Sequence, residues 1–216
     1  MHMIAPSLLE ADQTRLGEQL EIIGHAGAKY VHIDIMDGCY VPNLSGGIAW
    51  LNSIRKASDL IFDVHLMVRE PGRFLSDMRK AGADVLTVHY EACQDIKRVL
   101  RQIKDLGIKS GVALNPETRV DILDEELLKY ADVVHLMCTR PGVGGGFRQD
   151  STGRIRRVKA LLKDMQLERD IEADGGINFE NVREVAAAGA NIIVSGKALF
   201  QGDLEKNIRR MRMETD

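Results

Sequence analysis

Four side chains in this sequence are of the types that hold a divalent metal: His32, Asp34, His65 and Asp174. His32 and Asp34 lie in Val-His-Ile-Asp-Ile-Met-Asp-Gly at 31–38, where two-residue alternation puts His32, Asp34 and Met36 on one face of a strand. The same alternation pairs His65 with Met67 in Asp-Val-His-Leu-Met at 63–67. Asp174 stands at the tip of Ile-Glu-Ala-Asp-Gly-Gly at 171–176. Taken singly, each histidine can be a hydrogen-bonded core residue and each aspartate a loop cap. Two imidazoles and two carboxylates converging from three strand ends instead make a mixed N/O ligand set, suited to Zn²⁺, Fe²⁺, Mn²⁺ or Co²⁺.

A set like this needs a frame that brings distant strand ends together, and the chain repeats one unit throughout. Ala-Gly-Ala recurs at 26–28, 81–83 and 188–190, with Leu-Gly-Ile at 106–108 as a variant. Each follows a helix-period segment and precedes a β-branched run, so Gly27, Gly82, Gly107 and Gly189 read as residues just past helix ends, where a positive φ is needed. Leu16, Leu20 and Ile23 share one helical face, as do Phe74, Met78 and Ala81. Asp12, Pro71 and Asn178 sit where helices should start. Strands are expected at 3–6, 31–35, 62–66, 85–89, 110–114, 133–137, 170–174 and 191–194. Eight strand–helix units predict an α/β fold, a single (β/α)₈ barrel spanning residues 1–216. A doubly wound sheet is the weaker reading, because the first strand runs into Pro-Ser-Leu-Leu and not into a glycine-rich dinucleotide turn. In such a barrel the site lies at the C-terminal strand ends, where the four candidate ligands fall.

Composition narrows the partners. The chain has 216 residues, 44% hydrophobic and 28% charged, with a formal net charge of −3, which argues against nucleic acid or an anionic membrane as partner. Apolar runs are far too short to span a bilayer, and the first residues lack the features of a signal peptide. Three cysteines, Cys39, Cys93 and Cys138, with no closely spaced pair read as reduced thiols, so a cytoplasmic location is expected.

Motifs running nearly end to end make the chain similar to the ribulose-phosphate 3-epimerase family. They are IAPSLLEAD at 4–12, VHIDIMDG at 31–38 with VPN at 41–43, DVHLM at 63–67, TVHYEA at 87–92, ALNPET at 113–118, RPGVGGG at 140–146, ADGGIN at 173–178 and VSGKALF at 194–200. The resemblance implies a TIM barrel of the ribulose-phosphate-binding type, one divalent ion held by His32, Asp34, His65 and Asp174, and Asp34 and Asp174 as the acid and base. The implied reaction interconverts D-ribulose 5-phosphate and D-xylulose 5-phosphate through a metal-stabilised enediolate. Two opposed proton carriers and a nearby positive charge are what inversion beside a ketone requires. The resemblance further implies that Ser7, His65, Met36, Met67 and Met137 contact substrate, and that Gly142, Val143, Gly144, Gly145, Gly175, Gly176, Gly196 and Lys197 form the lid and phosphate grip. It also implies a homo-oligomer.

Several residues depart from the family pattern. Val143 stands where an aromatic residue is usual, Gly146 where glutamine is usual, Arg140 where an acid or amide is usual, and Lys197 where serine is usual. These changes keep 3-epimerisation of a ketohexose 6-phosphate such as D-allulose 6-phosphate as the alternative, with a non-catalytic phosphometabolite-binding barrel behind it. A decarboxylase of the orotidine-monophosphate group is disfavoured, because Asp34-Ile-Met-Asp37 lacks the lysine that group uses. Lys197 is expected to reinforce phosphate binding, His135 and Glu172 to hydrogen-bond beneath the metal floor, Cys138 to pack near the mouth, and His89 to be a structural or rim residue.

Overall fold

The computed structural model describes residues 2–215. The chain opens with β1 (Met3–Pro6) and then alternates helices and strands. α1 (Leu16–His25) leads to β2 (Tyr30–Asp37) and the short β3 (Leu44–Ser45), α2 (Ile48–Arg55) to β4 (Ile61–Met67) and α3 (Leu75–Ala81) to β5 (Val85–His89). α4 (Ile96–Asp105) leads to β6 (Lys109–Leu114), the short α5 (Glu125–Leu128) to β7 (Val133–Met137) and α6 (Ser151–Asp164) to β8 (Asp170–Asp174). α7 (Val182–Ala188) leads to β9 (Ile192–Ser195), and α8 (Lys197–Phe200) and α9 (Leu204–Thr215) follow. The pairs β2/β4, β4/β5, β5/β6, β6/β7, β7/β8, β8/β9 and β9/β1 are all parallel. The ring closes between β1 and β2 through a single parallel bridge from Ser7 to His32. The eight expected strands are present with ends shifted by no more than two residues.

One strand was not expected. β3 folds back antiparallel on the end of β2, pairing Ser45 with Met36 and Leu44 with Asp37. Two residues are too few to register as a periodic pattern. Two helix starts also differ. Asp12 accepts from the backbone N–H of Thr14 at 2.9 Å and caps a turn, while α1 begins only at Leu16. Asn178 likewise accepts from Glu180 N–H at 2.8 Å, and α7 begins at Val182. Both side chains cap the nearest free N–H groups, which belong to the connecting turns. Pro71 opens a 3₁₀ turn that leads into α3. Gly27, Gly82, Gly107 and Gly189 all adopt positive φ, as the repeat demands.

Alternation along each strand creates two different interiors. Outward residues such as Val31, Ile33, Val64, Leu66, Val112 and Ile193 pack beneath the helices and form the main apolar core. Inside the barrel, Ala5, Tyr30, Val85, Val133, Ile192 and Val194 make a smaller apolar cluster. His32, Asp63, Thr87, His135 and Glu172 are also fully buried or nearly so. Burying that many polar groups is costly unless they find partners, and here His32 Nε2, Asp63 Oδ1, Thr87 Oγ1, His135 Nδ1 and both Glu172 carboxylate oxygens are left without a hydrogen bond.

Candidate metal centre and substrate cavity

β2, β4 and β8 deliver the four candidate ligands to one point. Their ligand atoms all lie within 4.8 Å of one another. His32 Nε2 lies 3.4 Å from Asp34 Oδ1 and 4.0 Å from Asp174 Oδ2. His65 Nδ1 lies 3.3 Å from Asp34 Oδ1 and 3.9 Å from Asp174 Oδ2. The parallel register sets His65 directly beside Asp34 and Asp63 beside His32.

The fit to a cation can be tested on His32. Its Nδ1 bonds Asp63 Oδ2 at 2.7 Å, which leaves Nε2 as the ring nitrogen that faces the carboxylates of Asp34 and Asp174. That Nε2 is fully buried and has no hydrogen-bond partner. A buried, orphaned imidazole nitrogen facing two carboxylates is what a metal site offers. Burial lowers the His32 pKa, but the carboxylates of Asp34 and Asp63 overcome it and hold it well above the usual value. Burial raises Asp34, yet His32 and His65 outweigh it and keep that carboxyl well below the usual range. Burial, reinforced by the charge of His135, keeps His65 well below the usual histidine value and hence neutral.

A second tier supports the first. His135 Nδ1 approaches Glu172 Oε2 to 3.3 Å as a close ion pair, but the expected hydrogen bond is not formed, because the contact lacks hydrogen-bond geometry. Burial lowers His135, but Glu172 and Asp174 drive it up to about 10. Asp63 rises to about 7, through burial first and the charge of Glu172 second. Sequence reasoning passed over Asp63. The signal was there: it lies two residues before His65 on the same inward face. His89 is fully buried, not at the rim, and stacks on His65 with ring centroids 4.9 Å apart.

Above the aspartates opens a cavity of about 890 Å³. Ser7, Met36, Met67 and Met137 line it, as do Gly142 to Gly146, Gly175, Gly176, Gly196 and Lys197. Ser7 donates to Asp34 Oδ2 at 2.8 Å while its oxygen also caps the following 3₁₀ turn. His65 does not line the cavity, contrary to its expected role as a substrate contact. It is fully buried under the carboxylates, with both ring nitrogens occupied by Asp34 and His89. Cys138 is wholly buried in the apolar core between the cavity-lining Met137 and Thr139, and burial pushes its thiol up to about 12.

Two glycines in the grip are required by close approach. Gly175 (φ 113°) would put a Cβ 2.4 Å from Thr139 Cγ2, and Gly176 (φ 69°) would put one 2.5 Å from the Phe147 backbone nitrogen. The 138–146 loop folds over these residues and reaches across to Val41, where a Cβ on Gly142 (φ 69°) would sit 2.4 Å from Val41 Cβ. Lys197 is exposed at the cavity edge, and among the described residues no carboxylate lies within 4 Å of its ammonium. Glu10, which sequence reasoning did not single out, also lines the cavity, with Cγ 2.8 Å from where a Gly196 Cβ would be.

Comparison with known proteins agrees with this arrangement. The model for the "Ribulose-phosphate 3 epimerase family" matches residues 3–200. The ribulose-phosphate 3-epimerase of Bacillus subtilis (strain 168) is 42% identical over 216 residues, covering 98% of this chain and 99% of its own. That of Escherichia coli (strain K12) is 41% identical over 216 residues, covering 99% and 96%. Among solved structures, KGPDC from Streptococcus mutans superposes with TM-score 0.72 at 13% identity, covering 100% of this chain and 97% of that one, and so speaks to the barrel fold alone. With the four-residue cluster at the strand ends and the matched motifs spanning the barrel, the chain belongs to the ribulose-phosphate 3-epimerase family.

Proposed function

We propose that this epimerase inverts C3 of a ketopentose 5-phosphate, interconverting D-ribulose 5-phosphate and D-xylulose 5-phosphate, with one divalent ion held by His32, Asp34, His65 and Asp174. The observation that carries the reading is the orphaned Nε2 of His32, facing Asp34 and Asp174 at the floor of the cavity. When bound, the ion supplies positive charge beside the oxygens of the enediolate, which makes a proton α to a ketone acidic enough to remove.

Inversion needs one group on each side of C3. Asp34 comes from β2 and Asp174 from β8, on separate strands of the ring. The carboxylate that begins ionised takes the proton from its face, and the other returns a proton from the opposite face. Their roles exchange with the configuration of the substrate. Ser7, bonded to Asp34 Oδ2, fixes the carboxylate that faces the sugar. The thioethers of Met36, Met67 and Met137 exclude water from the reacting carbon. Backbone N–H groups around Gly175–Gly176 and Gly196 cradle the phosphate, with Lys197 adding charge.

The test is a panel of ketopentose and ketohexose phosphates on the metal-loaded enzyme, with C3 proton exchange followed in D₂O. Exchange and epimerisation of the pentose phosphate are expected. Preference for the ketohexose 6-phosphate assigns the room beside Val143 to a longer sugar. Exchange with neither overturns the assignment.

A further inference from the structure

At the phosphate end of the cavity stands a carboxylate that the reaction above does not use. Besides the two aspartates of the floor, the charged side chains lining the cavity are Glu10, Arg140 and Lys197. Lys197 follows Gly196 directly, in the stretch proposed to hold the phosphate. Glu10 reaches the same place from the start of the chain. Its Cγ lies 2.8 Å from where a Gly196 Cβ would be, so its carboxyl carbon, one bond further on, is within about 6 Å of the Gly196 Cα.

Two neighbouring strands hold Glu10 there. β1 pairs with β9 in parallel, with Pro6 level with Ser195. Ser7 N–H donates to Ser195 O at 3.0 Å, and Glu10 N–H donates to Ser7 O at 3.3 Å within the 3₁₀ turn Leu8–Glu10. The backbone of Glu10 is thereby fixed beside the end of β9. Its side chain is exposed, and among the described residues it makes no ion pair and no side-chain hydrogen bond. Neither burial nor pairing therefore accounts for a glutamate at this position. What it does bring is a negative charge close to the backbone N–H groups that would cradle a phosphate of the same sign. Repulsion between a carboxylate and a phosphate dianion at separations of this order changes affinity severalfold at a partly solvated edge.

We propose that Glu10 is a specificity-determining residue that offsets Lys197 at the phosphate end and so limits how tightly the cavity holds a phosphate dianion. Together the two side chains contribute no net charge there. Substrate and product of an epimerisation carry the same phosphate, so a tighter grip would strengthen both alike and would not help the proton transfers. The inference rests on the phosphate grip proposed above. It needs neither the identity of the metal nor the choice between pentose and hexose.

Calorimetric titration of the metal-loaded protein with glycerol 3-phosphate tests it. This phosphomonoester has no ketone, and at about pH 7.5 it is mainly a dianion. At about 50 mM sodium chloride, Glu10→Gln should bind it about three- to tenfold more tightly than the parent, and Glu10→Lys more tightly still. Near 0.5 M salt, roughly, the gap should shrink, because charges at an exposed edge are screened. Melting temperatures should not move, since the side chain is exposed. Parental or weaker binding by Glu10→Gln overturns the inference, and if Lys197→Ala still weakens binding, the phosphate grip stands without it. A gap that persists unchanged at high salt overturns it too, because the cause would then be shape and not charge. Absence of binding by the parent and by every variant overturns the phosphate grip and this inference together.

Discussion

At His32 two carboxylates compete with burial, and the carboxylates win. The His32 pKa lies well above the usual 6.5, so near neutral pH the ring holds a proton that a metal must displace. The sign follows: a raised ligand pKa makes metal affinity rise with pH up to that raised value. Apparent affinity should therefore keep climbing above pH 6.5, by up to about tenfold per pH unit. Calorimetric titrations with a divalent ion from about pH 6 to about pH 9 check this, and a plateau from the ordinary histidine value upward would show that His32 loses no proton on binding. His65 should add nothing to that slope, since burial already keeps it neutral. At the other end of the cavity, Lys197 has no acidic partner within 4 Å among the described residues, so its charge is free for a phosphate. Lys197→Ala should raise KM for the phosphorylated sugar about three- to tenfold with kcat nearly unchanged, the pattern of a group that binds ground and transition states alike. An unchanged KM would mean a solvated lysine.

The 138–146 loop closes on the cavity through glycine. Gly142 holds a left-handed φ of 69° and leaves room for Val41 at a distance no Cβ tolerates. Alanine there costs about 1–2 kcal/mol in backbone strain and also collides with Val41. Gly142→Ala should lower kcat/KM by about tenfold or more, because the loop can no longer seat, while the melting temperature falls by roughly 2–8 °C if the strain is kept in the folded state. Steady-state kinetics beside a thermal melt separate the two effects. A variant with parental kcat/KM would mean that closure onto Val41 is not needed for turnover. Arg154 of α6 shows how firmly the base of this loop is anchored: it donates to Met137 O at 2.9 Å and Asn115 O at 2.8 Å.

Across the whole molecule, the last helix seals the first. Arg212 donates to Ala26 O at 3.0 Å and Arg209 to His25 O at 3.0 Å, tying α9 to the end of α1. Leu204, Ile208 and Met211 are buried beneath α9. Ile208 is fully buried, so Ile208→Ala should cost about 2–5 kcal/mol, and in a chain of this size the melting point falls by roughly 2–4 °C for each kcal/mol lost. The loss should appear in denaturant unfolding with metal-bound activity retained at low temperature. A loss under about 0.5 kcal/mol would mean that α9 is not part of the cooperative unit.

Much of this was legible in the sequence because it is local. Strand period, the glycines after each helix and the inward alternation of His32, Asp34, His65 and Asp174 all repeat over a few residues, and each carries its own steric or hydrophobic reason. Resemblance of the motifs added the family and the reaction. What lay out of reach depends on register between strands and on which atoms meet across the ring. Asp63 supports His32 only because β4 lies beside β2 with those two residues level. Glu10 reaches Gly196 only because β1 and β9 are neighbours. His65 lies buried under the aspartates and outside the cavity lining, and Glu91 reaches it only through His89. The sequence by itself determined the barrel and the four groups at its mouth. The tertiary structure alone decided which nitrogen of each histidine faces them, because the orientation of a ring is set by strand register and by the partner on its far side.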